Sequence, residues 1–213
     1  MKTEDLVSVL ATGLEPVDPG RAERRLLMAW AAGMLMSVLL LSGLLRFNST
    51  LLREALLPMF WVRAAFCASL ALVAVVAVRR LGHPGARLGL VPVGLALPML
   101  VMWVLAAGAL MDAPERERVP LLFGHTAFVC PWLITLQAAP LFMTLIWAMR
   151  DVAPTRLRLA GAATGLAAGA SGALVYTLHC PELAPPFLSL WYVLGMLIPA
   201  ALGAILGPRL LRW

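Results

Sequence analysis

The sequence predicts an all-α, polytopic membrane protein with six transmembrane helices, and three observations support this fold class. Of its 213 residues, 62% are hydrophobic and only 13% are charged, whereas roughly a quarter of a soluble domain is charged. Six apolar stretches approach the length of about 20 residues that a helix needs to cross a bilayer. The connections between these stretches are alternately rich and poor in arginine. The six stretches leave no room for a soluble domain of ordinary size.

The six predicted spans follow one another through connections that are too short to form domains. Basic residues mark several of their ends, as where Arg24 and Arg25 precede the first span and Arg46 follows it. The longest connection, 112–129, is partly apolar, and we expect it to lie along the membrane surface or to dip into the membrane. The predicted spans are residues 26–45, 55–78, 88–111, 131–149, 157–178 and 187–207.

The distribution of basic residues predicts the orientation, because lysine and arginine concentrate in cytoplasmic loops. The N-terminal tail, the second and fourth connections and the C-terminus hold twelve of the 17 basic residues, whereas the remaining connections hold four. Arg63 lies inside the second span. Both termini are therefore expected in the cytoplasm. The first 25 residues lack the apolar run of a cleavable signal peptide, so the first span should serve as an uncleaved anchor.

The N-terminal tail has the pattern of a short amphipathic helix followed by a linker. Thr3 is a candidate N-cap, and acidic residues in the first turn suit the helix dipole. Because the polar face is acidic rather than basic, a protein partner is a better candidate than the membrane surface, although a solvated tail without a role also fits. We divide the chain into this tail with its linker, 1–23, and a transmembrane domain, 24–213. The candidate contact residues are Glu4, Asp5, Leu6, Val7, Leu10 and Leu14.

Small residues recur every fourth position in the fifth and sixth spans. Gly161, Gly165, Gly169 and Ala173 form one such series, and Gly203 and Gly207 form another. Small residues allow helices to approach closely in lipid. Packing within one chain is the simpler interpretation, and a homo-oligomer seam is the alternative.

Two Cys-Pro pairs fall on the side opposite the termini, and each has a histidine nearby. Cys130 should begin the fourth span, where the helix dipole lowers a thiol pKa, and Cys180 should follow the fifth. Three interpretations fit: a structural disulfide, a redox switch, or a soft-metal site formed by Cys130, Cys180, His125 and His179. On general grounds the plain disulfide is favoured over the other two.

Other polar or reactive residues within the spans and loops have simpler interpretations. Arg63 should snorkel to the interface or pair with a carboxylate such as Glu182, and Gln137 is a candidate for a bond across helices. Cys67 should be a packing residue and His83 should be solvated. Because no span contains Asp or Glu, a proton-coupled transporter is disfavoured.

Several segments together resemble a known family. They are MKTEDLVSVL, FWVR, GHTAFVCP, APTRLRLAGAA, YTLHCPELAPPFLSLWY and GPRLLRW. In this combination the chain is similar, over nearly its full length, to NrsF-type membrane anti-sigma factors. These are negative regulators of SigF-type extracytoplasmic-function (ECF) sigma factors in proteobacteria.

The resemblance implies a non-enzymatic regulator in the bacterial inner membrane, without direct contact to nucleic acid. The cytoplasmic segment of residues 1–20 would hold the sigma factor, and Cys130 and Cys180 would sense metal or redox stress. No cofactor is implied beyond a soft metal ion at the cysteines. Two alternatives remain at this point: a membrane thiol-disulfide oxidoreductase that uses the same cysteines, and a small metal carrier.

Overall fold

The computed structural model describes residue 3 and residues 20–83, 85–152 and 154–212. The described part is all-helical and contains six helices that are long and apolar enough to cross a membrane. The predicted tail helix lies outside the described residues, including its proposed contact residues Glu4, Asp5, Leu6, Val7, Leu10 and Leu14.

The six long helices pack together in one bundle. Their bounds are α1 Arg21–Leu45, α2 Pro58–Leu81, α3 Val91–Asp112, α4 Cys130–Arg150, α5 Leu157–Tyr176 and α6 Pro185–Leu210. Within α1, the last turn Leu41–Leu45 is a π-helix, and a second π-helical turn, Leu188–Tyr192, lies near the start of α6. Short helices Leu51–Glu54 and Glu115–Phe123 lie in the connections.

The predicted spans match these helices in number and order, and their starts differ where proline or glycine redirects the chain. The second predicted span began at residue 55, but α2 begins at Pro58. Leu57 is extended (ψ 132°), because the residue before a proline disfavours helix. The third began at residue 88, whereas α3 begins at Val91, after Gly89 with a φ of +55°.

α5 lies at the centre of the bundle and packs against α2, α4 and α6. Its glycines bring the backbones of α5 and α6 into direct contact: a Cβ on Gly161 would overlap the carbonyl oxygen of Gly203, and one on Gly165 would overlap that of Pro199. The small-residue series therefore packs helices within one chain, as the simpler interpretation predicted.

The core divides into two hydrophobic clusters, one toward each end of the bundle. The cluster that contains Cys130 and Cys180 adjoins the connections 46–57, 113–129 and 177–184, and we call this the thiol end. The other cluster lies toward the end where the chain carries Arg21, Arg24, Arg25, Arg79, Arg80, Arg150 and Arg209, which we call the basic end. The predicted separation of thiols from the arginine-rich connections is thus present in the fold.

Candidate functional site

Cys130 and Cys180 reach the thiol end from different elements. Cys130 is the first residue of α4, and its amide donates to the carbonyl oxygen of Thr126 at 2.8 Å. Pro131 is tolerated at the next position, because its missing amide hydrogen would have had no partner inside the first turn of the helix. Cys180 follows the last turn of α5, and its amide donates to Tyr176 at 3.1 Å. The predicted placement of Cys130 at a helix start is confirmed.

The two thiols lie against each other in a dry pocket. The Cys130 side chain is a hydrogen-bond partner of Cys180, and neither residue has any solvent-exposed surface. That hydrogen bond lowers the pKa of the Cys180 thiol, and the backbone of Glu182 acts in the same direction, while burial opposes both. All three cysteines of the chain are free thiols, so the pair is in its reduced form.

Two tyrosines complete the wall of this pocket. Tyr176 lies one helical turn before Cys180, and its ring centroid is 6.0 Å from that of Tyr192 in the π-helical turn of α6. Tyr192 is buried, and its hydroxyl acts with Cys130 to lower the pKa of the Cys180 thiol. π-helical turns occur often at functional sites, and this one places a polar atom beside the thiols.

Arg63 of α2 does not snorkel, contrary to the expectation from sequence. Its side chain is fully buried and donates to three backbone carbonyls: Nη1 to Cys180 and Glu182, each at 2.8 Å, and Nη2 to Thr177 at 2.9 Å. The carboxylate that faces it belongs to Glu54, at 3.8 Å, and not to Glu182. The three carbonyls and the nearby carboxylate offset the cost of retaining a charge inside the bundle, although Arg63 Nε and Glu54 Oε2 have no hydrogen-bond partner among the described residues.

Glu54 joins the first connection to this network. Its Oε1 accepts from Asn48 Nδ2 at 2.6 Å and from Thr50 Oγ1 at 2.8 Å, while its Oε2 faces Arg63. The backbone amide of Asn48 in turn donates to the carbonyl oxygen of Leu178 at 3.0 Å. The connection between α1 and α2 is therefore bonded to the segment that carries Cys180.

The connection between α3 and α4 is bonded to the same segment. The Glu182 carboxylate accepts from the amide of His125 at 2.7 Å. It lies so close to Gly124, whose φ is +50°, that a Cβ there would meet it at 2.7 Å. Trp191 Nε1 also donates to the carbonyl of Leu122 at 2.8 Å. The other two connections at the thiol end, 46–57 and 113–129, are thus both bonded to residues 177–191.

The proposed four-residue metal cluster is not assembled. His179 Nδ1 is bonded to the carbonyl of Arg46 at 2.8 Å, and His125 is exposed and contacts Glu182 through its backbone. Among the described residues, no group of three or more His, Cys, Asp or Glu is arranged to hold a metal ion. The two histidines were predicted from their nearness in sequence, which does not determine where a side chain points. Only the two thiols remain together as candidate ligands.

Cys67 is buried, as predicted for a packing residue, but it packs in the same cluster as the thiol pair. Glu54, Tyr176 and Tyr192 were not identified from the sequence. Tyr176 had a usable pattern, since positions i and i+4 share a helix face and Tyr176 precedes Cys180 by four. No sequence pattern pointed to Glu54, because nothing in its local sequence indicates that its side chain is buried.

Two reduced thiols in contact can do one of two things. They can be oxidised to a disulfide, or they can lose their protons and bind one soft metal ion as a pair of thiolates. Their full burial limits access to small reagents. A site of this type suits a sensor of small oxidants or soft metal ions better than an exchange partner for a large protein disulfide.

Comparisons with known proteins relate the chain to regulators of a sigma factor. The sequence profile of a family described as "negative regulator of sigma F" matches residues 10–213. A probable anti-sigma-F factor NrsF from Azospira oryzae is 48% identical over 213 residues, which cover 100% of both chains. The anti-sigma-F factor NrsF from Caulobacter vibrioides is 37% identical over 221 aligned positions, again covering 100% of both chains. No solved structure matches the chain.

This chain therefore belongs to the family of negative regulators of sigma F, and the family suggested by its motifs is confirmed. The names of both relatives describe regulators of a sigma factor and not enzymes.

Proposed function

We propose that this protein is a membrane-embedded anti-sigma factor that sequesters an ECF sigma factor of the SigF type. The observation that carries the proposal is the family match over residues 10–213, together with relatives named as anti-sigma-F factors that align over their full length. In this proposal the tail and linker, residues 1–23, hold the sigma factor, and residues 24–213 form the transmembrane domain. The protein acts on transcription through this partner and does not itself bind nucleic acid.

The proposed orientation places the basic end at the cytoplasmic face of the bacterial inner membrane. The arginines that precede and end the helices cluster at that end, in agreement with the rule that positive charge stays inside. The tail then lies on the same side as the sigma factor, and the thiol pair faces the periplasm, where disulfides can persist.

The proposed stimulus is a chemical change at Cys130 and Cys180. With hydrogen peroxide as oxidant, the two thiols give up two electrons and two protons, a sulfur–sulfur bond forms, and the peroxide is reduced to two water molecules. With a soft metal ion, the two thiols release their protons and both sulfurs bind the metal. Either change replaces the hydrogen bond between the thiols, and the sigma factor is then released.

Sigma-factor binding is tested with the full-length protein in detergent and a matched protein that lacks residues 2–20. The purified sigma factor should bind the full-length protein and lose most of its affinity for the truncated one. Equal binding by both would remove the tail from the mechanism. In cells, the truncation should release transcription of the target genes while the protein still inserts into the membrane.

The sensing role is tested by changing Cys130 and Cys180 to serine, singly and together, with Cys67→Ala as the control. The first set should lose the transcriptional response to peroxide or cadmium, and the control should retain it. A normal response in the double variant would demote the thiol pair to a structural role. Catalytic turnover of a thiol substrate by the detergent-solubilised protein would instead support the alternative of a membrane oxidoreductase.

A further inference from the structure

α1 contacts α4 along most of the distance between the thiol end and the basic end. Near the middle, Ser37 Oγ donates to the carbonyl oxygen of Gln137 at 3.0 Å, and Gln137 Oε1 lies 3.4 Å from the same hydroxyl. Both side chains are fully buried. Gln137 follows Cys130 by seven positions, or about two turns, so both residues lie on the same face of α4.

Closer to the basic end, the backbones of α1 and α4 touch. A Cβ built on Gly33 would lie 2.6 Å from Thr144 Oγ1 and 2.9 Å from the Cα of Leu141. The second of these atoms belongs to the backbone and cannot rotate away. The contact therefore has no room for a methyl group, and the relative position of the two helices is determined at this point.

At the basic end, charged groups join the same two helices. Arg25 of α1 forms an ion pair with Asp151, the residue directly after α4, and its guanidinium lies 4.2 Å from the ring centroid of Trp147. Four residues before Arg25, α1 begins at Arg21, where the N-terminal segment joins it. The last turn of α4 is therefore joined to the first turns of α1.

Between its two ends, α4 has a point where it can pivot. Pro140 lacks an amide hydrogen, so the carbonyl of Leu136 has no bond from within the helix. At the same level α5 supports α4, since a Cβ on Gly172 would lie 2.7 Å from the backbone nitrogen of Ala138. From this level the helix extends about 12 Å to Cys130 and about 20 Å to Asp151, at 1.5 Å per residue.

We propose that α4 is a lever, pivoting at residues 137–140, that carries a change at Cys130 to α1 and hence to the tail. The inference rests on the proposed function, because it supplies the route by which the thiol pair would act on the sigma-binding segment. Oxidation by peroxide shortens the separation of the two sulfurs to about 2.05 Å. This draws the start of α4 toward the segment that Arg63 holds, and the far end of α4 moves in the opposite sense against α1.

The lever is tested by wedging α1 away from α4 with Gly33→Ala, a site far from the thiols. Cells lacking the native copy carry the full-length variant and a reporter driven by the sigma-dependent promoter. Without any oxidant, reporter activity should rise about tenfold, which is the order of change that one overpacked methyl produces in a two-state equilibrium. The rise should persist when Cys130 and Cys180 are both serine, because the added methyl group displaces α1 from α4 directly and needs no change at the thiols.

The matched control is Gly43→Ala on the same helix, where a Cβ meets nothing within 4 Å. This variant should repress like the unchanged protein. Normal repression by Gly33→Ala at an unchanged amount in the membrane would overturn the lever.

A second pair of variants tests the same contact between α1 and α4 without enlarging any side chain. Ser37→Ala should reduce the peroxide-induced rise in reporter activity about fivefold, the order of effect expected for one buried hydrogen bond. Gln137→Leu removes only the side-chain acceptor at 3.4 Å and keeps the backbone carbonyl that accepts from Ser37, so its effect should be smaller. Thr135→Val, which removes only a bond to the carbonyl of Pro131 within α4, is the control. In all of these chains, alkylation followed by gel electrophoresis should show that the thiols oxidise to the same extent.

These readouts separate the lever from the proposed function. Full induction in Ser37→Ala, with normal thiol oxidation, would overturn the lever and leave the sensing role standing. Full induction in the chain without Cys130 and Cys180 would instead overturn the sensing role. Derepression by Gly33→Ala would in that case still support a regulatory role for the contact between α1 and α4.

Discussion

Arg63 donates from Nη1 to the carbonyl oxygen of Cys180 at 2.8 Å, across 117 positions of the chain. The bonds to Glu182 and Thr177 complete a set of three carbonyls around one guanidinium. The planar fork of arginine presents several donors in fixed directions, which a lysine ammonium cannot reproduce. The backbone that carries one of the two thiols is thus positioned by a side chain from α2.

Replacing Arg63 with glutamine should lower the free energy of unfolding by about 3 kcal/mol, because the Glu54 carboxylate would remain buried without its cation. Arg63→Lys should lie between this variant and the unchanged protein, since it keeps the charge and loses the fork. Thermal unfolding in detergent, followed by the exposure of thiols to a fluorescent maleimide, measures both.

The matched control for this prediction is Arg53→Gln, which removes an exposed arginine from the same connection as Glu54. Its unfolding should be unchanged. An equal loss of stability in Arg53→Gln and Arg63→Gln would mean that the carbonyl contacts of Arg63 contribute nothing specific.

Glu54→Gln should also destabilise the thiol end, because Arg63 would lose the only carboxylate that the structure places within 4 Å of it among the described residues. Glutamine retains an acceptor for Asn48 and Thr50, so the effect should be smaller than that of Arg63→Gln. In a double-mutant cycle the two substitutions should deviate from additivity by about 1 kcal/mol or more. Strict additivity would show that the ion pair at 3.8 Å is not a functional contact.

Much of this architecture could be predicted from local sequence. Helix number and order follow from the length of each apolar stretch, and the start of α4 at Cys130 follows from the proline after it. The bond of Gln137 across helices is confirmed because a polar side chain inside a span must find a partner in the bundle. Each of these inferences needs only the residues near the position in question.

The partners of Arg63 could not be predicted in the same way. Its acceptors are backbone carbonyls at 177–182, and every residue type has a carbonyl, so the sequence contains no sign of them. The choice of Glu54 over Glu182 depends on how the first connection folds back over α2. The placement of the histidines could not be predicted for a related reason, since His179 is bonded to Arg46 in a distant connection.

The contact between α5 and α6 should tolerate no side chain. Gly161→Ala places a methyl group on the carbonyl of Gly203, and overpacking of this type costs about 1–3 kcal/mol. We expect a lower unfolding temperature and less protein in the membrane. Gly108→Ala in α3 is the control, because a Cβ there meets nothing within 4 Å and alanine favours helix. Equal behaviour of the two variants would contradict the close approach of α5 and α6.

The hydrogen bond from Cys130 lowers the pKa of Cys180, so the thiolate of Cys180 should persist to lower pH than that of an ordinary cysteine. The rate of modification of Cys180 by a small alkylating reagent should therefore reach half its maximum at a lower pH than the rate for a model thiol. In Cys130→Ala this midpoint should shift upward, because the donor is gone while burial continues to raise the pKa. The measurement uses chains with Cys67→Ala, and an unchanged midpoint in Cys130→Ala would exclude Cys130 as the donor.

The proposed relay requires the tail and the thiol pair to lie on opposite sides of the membrane. Fusions of alkaline phosphatase, which is active only in the periplasm, should be active when inserted in the exposed helix Glu115–Phe123 and inactive after residue 212. Fluorescent protein fusions, which fold in the cytoplasm, should give the reverse pattern. If each of the six long helices crosses the membrane, the even number of crossings would place the start of α1 and the end of α6 on one side. Phosphatase activity at both positions would place the thiols and the sigma-binding segment on one side, and no signal would then need to cross the bilayer.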